Sequence, residues 1–224
     1  IRVRASVERM MELEDGGSGR MRTPICLDEV EALEVREVHF GYHTRKVLED
    51  LTVTLRGGEP LAIVGPTGAG KTTLSRLVAG VLEPDDGSIV LKNGNEEWNV
   101  AEIDRLNFVY VPQGNSLFSG TIRENLQMVN RHASEERLKE VLELACADFV
   151  WSLPQGWDTL IGEKGFGLSE GQAQRLAVAR ALLLPGKVWI FDEVTSALDV
   201  HTAQRLVTNL LEAGREKILL FVTH

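Results

Sequence analysis

Gly65-Pro66-Thr67-Gly68-Ala69-Gly70-Lys71-Thr72 carries two glycines, a lysine and a hydroxyl at the spacing G-x-x-x-x-G-K-[ST]. Glycines at those positions let backbone N–H groups turn inward around a polyanion, while the lysine reaches the β- and γ-phosphates of a nucleotide and the hydroxyl ligates Mg2+. Gly65 to Thr72 therefore reads as a phosphate cradle, with Lys71 and Thr72 as its charged and metal-facing members. A second pair of residues fits the same chemistry. Asp192 and Glu193 follow the apolar run Val188-Trp189-Ile190-Phe191, so Asp192 stands where an acid would orient Mg2+ beside Thr72. Glu193 is placed to polarise an attacking water as general base.

These groups need a scaffold that brings positions 65 and 192 together. Leu61-Ala62-Ile63-Val64 is a continuous apolar run leading into the cradle, as for a strand buried on both faces. The stretch 73–80 has apolar residues at helical spacing and ends at Gly80, a stop signal. Short strands are expected at 33–40, 51–55, 89–91 and 108–111, and buried ones at 188–191 and 218–222. The middle of the chain is helical. Ser134 is an N-cap with Glu135 and Glu136 in the first turn, and Leu138, Val141, Leu142 and Ala145 form an apolar stripe that reads as core. Another helix runs through 177–184 and is ended by Pro185-Gly186. Alternating strands and helices make an α/β fold with a mostly parallel sheet and a helical insertion between about Gln113 and Arg180.

With 224 residues, 43% of them hydrophobic, the chain suits one large domain, or one domain with a subdomain. A net charge of −9 and a pI near 5.1 argue against general nucleic-acid binding. No apolar run approaches the roughly 18–20 residues needed to span a bilayer. No signal peptide is visible, and a chain starting at Ile1 reads as a fragment. Residues 3–13 are loosely helical, Asp15-Gly16-Gly17-Ser18-Gly19 breaks any helix, and the stretch to about Val30 reads as linker. Cys26 and Cys146 have no partner at metal spacing and read as buried or half-buried thiols of a reducing compartment.

Leu168-Ser169-Glu170-Gly171-Gln172 admits two readings. Ser169 can cap a helix whose free N–H groups and positive dipole end face an anion, and Ser169-x-x-Gln172 is equally a plain capping box. Its surroundings decide the resemblance. With Gly162-Glu163-Lys164-Gly165 before it and the run from Gln172 to Leu182 after it, the segment resembles the signature of the ATP-binding cassette (ABC) family, usually Leu-Ser-Gly-Gly-Gln. That resemblance covers about 33–224 and implies a P-loop NTPase (RecA-like) core with an N-terminal antiparallel β subdomain and an inserted α-helical subdomain at about 113–180.

The resemblance implies further roles. Tyr42 in Phe40-Gly41-Tyr42 matches the aromatic that stacks on adenine, with a buried core aromatic as the plainer reading. Gln113 after Val111-Pro112 resembles the glutamine that reaches Mg2+ and the attacking water. Asp199 in Ser196-Ala197-Leu198-Asp199 resembles the D-loop, which crosses to a second subunit. His224 resembles the histidine that contacts the γ-phosphate. ATP and Mg2+ are the implied ligands, with ATP held by Gly65, Pro66, Thr67, Gly68, Ala69, Gly70, Lys71, Thr72 and Thr73, and Mg2+ by Thr72, Gln113 and Asp192. Leu168, Ser169, Glu170, Gly171 and Gln172 would close over ATP bound to a second cassette, identical or different.

The segment 117–126, the 162–165 run and the weaker likeness of 3–13 to the end of a last membrane helix resemble the exporter class. The implied protein is an ABC exporter half-transporter at the cytoplasmic face of a membrane. Residues 1–32 would be the tail of a preceding membrane domain and linker, and 33–224 a nucleotide-binding domain cut short at its C-terminus. Its ATP hydrolysis would power solute export. Two other readings stand beside it: an ABC ATPase that moves no solute, and a nucleotide-binding regulatory module with little turnover. The short span from Lys71 to Leu168 leaves no room for the coiled coil of chromosome ATPases, and Glu193 argues for turnover. Glu170 departs from the family pattern, and it is expected to point away from the nucleotide, since a carboxylate against the γ-phosphate would repel it.

Overall fold

The computed structural model describes residues 26–224, apart from positions 44, 115 and 166. The expected helical segment 3–13 and the glycine break at 15–19 lie outside the described residues.

Strands β1 (Ala32–Tyr42), β2 (Arg45–Arg56), β4 (Asp86–Asn93) and β5 (Glu96–Asn99) form an antiparallel sheet in the order β2-β1-β4-β5. Strands β3 (Leu61–Val64), β6 (Phe108–Val111), β9 (Val188–Asp192) and β10 (Ile218–Thr223) form a second sheet in the order β3-β10-β9-β6, parallel throughout. Both sheets fit the α/β architecture expected above. The strands nevertheless run longer than their apolar patches suggested, because hydrogen-bond ladders continue through polar residues such as Arg45 and Lys46.

Period-two alternation makes the parallel sheet a partition between two cores. Val109, Val111, Trp189, Phe191 and Leu219 face one apolar cluster, and Phe108, Val188, Ile190, Ile218 and Leu220 face the other. The first cluster includes the helices α2 (Ile122–Gln127), α3 (Glu135–Leu144) and α4 (Glu170–Ala181). The second includes the antiparallel sheet and α1 (Lys71–Val78). Ser134 caps α3 by accepting from the Arg137 N–H at 3.2 Å, and Leu138, Val141, Leu142 and Ala145 are fully buried. Leu142→Ala is accordingly expected to cost about 2–5 kcal/mol, the range for removing a buried leucine side chain. A fall in the urea midpoint checks this, with ATP affinity unchanged because the helix lies outside the cleft.

Two expectations are corrected. Among the described residues β3 pairs with β10 alone and is not buried on both faces, since Val64 is 66% exposed. Cys26 is exposed, while Cys146 is buried as expected, and both thiols are free. The chain immediately after Cys26 is packed against the domain. Leu27 and Val30 enter the second core, and the Leu27 N–H donates to the buried Asn107 side chain at 2.7 Å.

Between Gln113 and Arg180 the helices are joined by a small ladder, Gly120–Thr121 (β7) against Leu160–Ile161 (β8). No helix among the described residues is long and apolar enough to cross a membrane.

Candidate nucleotide site

The parallel register gathers the chemistry. Thr223 pairs with Val64, Val222 with Asp192, and Val111 with Phe191. Four strands therefore end at one sheet edge, and their next residues are Gly65, Glu193, His224 and the Pro112-Gln113 pair. Open α/β sheets bind ligands outside the carboxyl ends of their strands. Here that edge opens into a cleft of about 430 Å³ whose walls include Tyr42, Gly68, Lys71, Thr72, Gln113 and His224.

The loop after β3 leads directly into α1, which begins at Lys71 rather than at 73, so Lys71 and Thr72 occupy its first turn. Gly70 stands at φ 90°, a backbone region closed to most side chains, and a Cβ there would lie 3.0 Å from Val47 Cγ1. The β1–β2 hairpin is thus seated on the loop. The same hairpin carries Tyr42, which is 41% exposed and meets Phe40 edge-on at 5.0 Å, so its ring faces the cleft opening rather than a core.

Lys71 is buried, and its ammonium donates to the carbonyls of Gly65 at 2.6 Å and Pro66 at 3.1 Å. His224 Nδ1 lies 3.5 Å from the same ammonium. Glu193 has both carboxylate oxygens engaged: Oε1 sits 2.7 Å from His224 Nε2, and Oε2 accepts from the Gln113 amide at 2.7 Å. The structure brings Lys71, Gln113, Glu193 and His224 into one connected cluster.

Asp192 fits a hard cation. Its two carboxylate oxygens are buried and have no hydrogen-bond partner. Burial holds its pKa above the usual carboxylate range and the Glu193 charge adds to this, while the Thr72 hydroxyl and the charges of Arg76 and Lys71 oppose it. Two buried carboxylate oxygens near the Thr72 hydroxyl are the kind of hard oxygen donors that such a cation takes. Mg2+ is commonly held by one or two carboxylates together with substrate phosphates.

The remaining candidates lie apart from this cluster. Ser169 heads α4 in a closed capping box: its hydroxyl accepts from the Gln172 N–H at 3.2 Å, and the Gln172 side chain accepts from the Ser169 N–H at 2.9 Å. Both earlier readings of Ser169 remain compatible with this, since the N–H groups of Glu170 and Gly171 head the helix. Leu168 packs against the first core, and Glu170 is exposed. Asp199 caps α5 (Val200–Ala213) by accepting from the Thr202 N–H at 3.0 Å. None of Leu168, Ser169, Glu170, Gly171, Gln172 or Asp199 lines the cleft within this chain.

Sequence reasoning missed Arg45 and Val47, which line the cleft beside Tyr42. It also missed Tyr110, whose buried hydroxyl has its pKa raised by burial and by the nearby Asp192 charge. Tyr110 lies in a strand that reads as plain core. The polar stretch between the two expected strands was the local hint of Arg45.

Comparison with known proteins adds to the geometry. The sequence model of the family described as "ABC transporter" matches residues 48–196. A probable ABC transporter ATP-binding/permease protein of Haemophilus influenzae is 34% identical over 224 residues, covering 98% of this chain and 40% of the relative. The mitochondrial iron-sulfur clusters transporter ATM1 of Saccharomyces cerevisiae is 39% identical over 84% of this chain and 28% of its own length. The solved structure of a bacterial Atm1-family ABC exporter with ATP bound superposes with a TM-score of 0.84 at 31% identity, covering 97% of this chain and 39% of that one. The chain therefore spans about a quarter to two fifths of the length of these relatives.

Proposed function

Because the chain belongs to the ABC transporter family, we propose that it binds and hydrolyses ATP as the nucleotide-binding unit of an exporter. The observation that carries this reading is the convergence of Lys71, Gln113, Glu193 and His224 where the parallel strands end, beside an Asp192 carboxylate with unpaired oxygens.

In this reading Tyr42 stacks on the adenine, and the backbone of residues 65–70 with Lys71, Thr72 and Thr73 holds the phosphates. Thr72, Asp192 and Gln113 would hold Mg2+, which would neutralise phosphate charge when bound. Glu193 takes a proton from water, with His224 and Gln113 orienting its carboxylate. Lys71 exchanges its two loop carbonyls for phosphate oxygens as ATP enters, a replacement of neutral acceptors by charged ones.

Ser169, Glu170 and Gly171 do not line the cleft of their own chain, so the proposal includes a second cassette. Each α4 N-terminus would close over ATP in the other copy, with Asp199 near the crossing. The proposal also includes a membrane-spanning partner, fused through residues 1–32, at the cytoplasmic face of a membrane; the ATP-binding/permease name of one relative supports the membrane part. Nucleic acid has no part in the reading, given the charge of −9.

Phosphate release from Mg·ATP at rising protein concentration tests it. Specific activity should climb with concentration, because a second copy completes each site. Activity that is Mg2+-dependent but constant per mole would reject the shared site, and no phosphate release at any concentration would favour the regulatory reading.

A further inference from the structure

We propose that Gln174, one helical turn beyond Gly171 on α4, is a positioning residue for Glu193 and ties the head of α4 to the catalytic carboxylate of the same chain; this rests on Glu193 being the general base. Gln174 is 2% exposed, and its amide nitrogen donates to the Glu193 carbonyl at 2.8 Å. A carbonyl oxygen only accepts, so the amide orientation is settled by its partner. The other end of the amide, Oε1, is buried without a hydrogen-bond partner.

That asymmetry separates position from stability. A buried acceptor left unpaired works against folding, and an apolar side chain of similar volume would remove it. Gln174 stands among Ala173, Leu176, Ala177 and Val178, all buried, where such a side chain would be at home. What the amide adds is its grip on residue 193.

Glu193 needs one. It stands at φ 54°, a left-handed backbone conformation that is costly for a residue with a side chain and persists only where neighbours over-determine it. Its N–H donates to the Val222 carbonyl at 2.9 Å, and its carbonyl also accepts from the Ser196 hydroxyl at 2.9 Å and the Ser196 N–H at 3.2 Å. Those holders come from β10 and from the turn after β9. Gln174 comes from α4, the helix headed by Ser169, Glu170 and Gly171.

The head of α4 is itself pressed onto the same turn. A Cβ on Gly171 would lie 2.5 Å from the Ala197 carbonyl oxygen, so helix and loop meet backbone to backbone. A rigid helical turn then connects what docks at residues 169–171 to the backbone of Glu193. Any shift of α4 on engaging a second nucleotide reaches the catalytic carboxylate through this hydrogen bond.

The test is Gln174→Met, which preserves volume and removes the donor. Its kcat for phosphate release is expected to fall by about 10–100-fold, the scale of a small misplacement of a catalytic group. KM for ATP should stay within about twofold, because the phosphate cradle is untouched, and the thermal midpoint should hold or rise. Amide hydrogen exchange at residues 193–196 should quicken while exchange in α3 does not change. Wild-type kcat, or unchanged exchange at 193–196, would overturn the proposal. So would a lowered thermal midpoint with kcat per folded molecule unchanged, which would make Gln174 a structural residue. If the unsubstituted protein releases no phosphate, the role of Glu193 as base fails, and the exchange measurement still decides whether Gln174 holds the residue in place.

Discussion

Glu193→Gln is expected to bind ATP about as tightly as the unsubstituted protein and to release phosphate about 10²–10⁴-fold more slowly, the range that general-base assistance supplies. The geometry explains why the two effects should part. The Glu193 carboxylate sits between the His224 ring and the Gln113 amide at 2.7 Å on each side. An amide of the same shape keeps one accepting oxygen for one of these neighbours and leaves the backbone at residue 193 unchanged. It cannot take a proton from water. Lys71, Thr72 and Tyr42, the groups assigned to holding the nucleotide, do not touch the side chain of residue 193 through any hydrogen bond or ion pair found among the described residues. Nucleotide titration by calorimetry, paired with single-turnover phosphate release, reads the two quantities separately. Hydrolysis at the unsubstituted rate would remove Glu193 from the role of base.

Lys71→Ala is expected to act on the other quantity, weakening ATP binding by about 10–150-fold, the equivalent of the 1.5–3 kcal/mol that a hydrogen bond to a charged group contributes. Phosphate release should become undetectable at ATP concentrations that saturate the unsubstituted protein. Two losses combine here. The nucleotide loses a cation facing its β- and γ-phosphates. The loop loses the donor that holds the Gly65 and Pro66 carbonyls at 2.6 and 3.1 Å when phosphate is not there to take it. Stability should not fall with it. Lys71 is buried, and its ammonium is bonded to carbonyls and to no carboxylate among the described residues, so the charge itself is costly to bury. Titration with a fluorescent ATP analogue checks the affinity, and an unchanged thermal midpoint separates lost binding from lost folding. Unaltered affinity would mean that the backbone cradle alone holds the phosphates.

Much of this was legible in the chain because it is local. The glycine spacing from Gly65 to Gly70, the cap at Ser134, the apolar stripe of α3 and the capping box at Ser169 all depend on residues no more than about seven positions apart. Side-chain type settles them before any packing occurs. The acids after the β9 run and the order of the motifs were readable for the same reason. Together they carried the family and the α/β class.

Tertiary structure alone decided what lies side by side. Nothing near Leu61 in the sequence says that β3 will pair with β10, because strand order depends on which ladders form across the chain. The contact of Gln113 with Glu193 spans 80 positions and that of Lys71 with His224 spans 153. Both follow from the parallel register that ends four strands at one edge. Gln174 is the clearest case. In the sequence it is one polar residue in a helix, with no turn signal or charge partner beside it. Only folding sets its amide 2.8 Å from a strained carbonyl. The identities of the chemical groups were written in short-range spacing, whereas their mutual distances, and the strain at Glu193 that one of them restrains, arise from packing between segments that are remote in the chain.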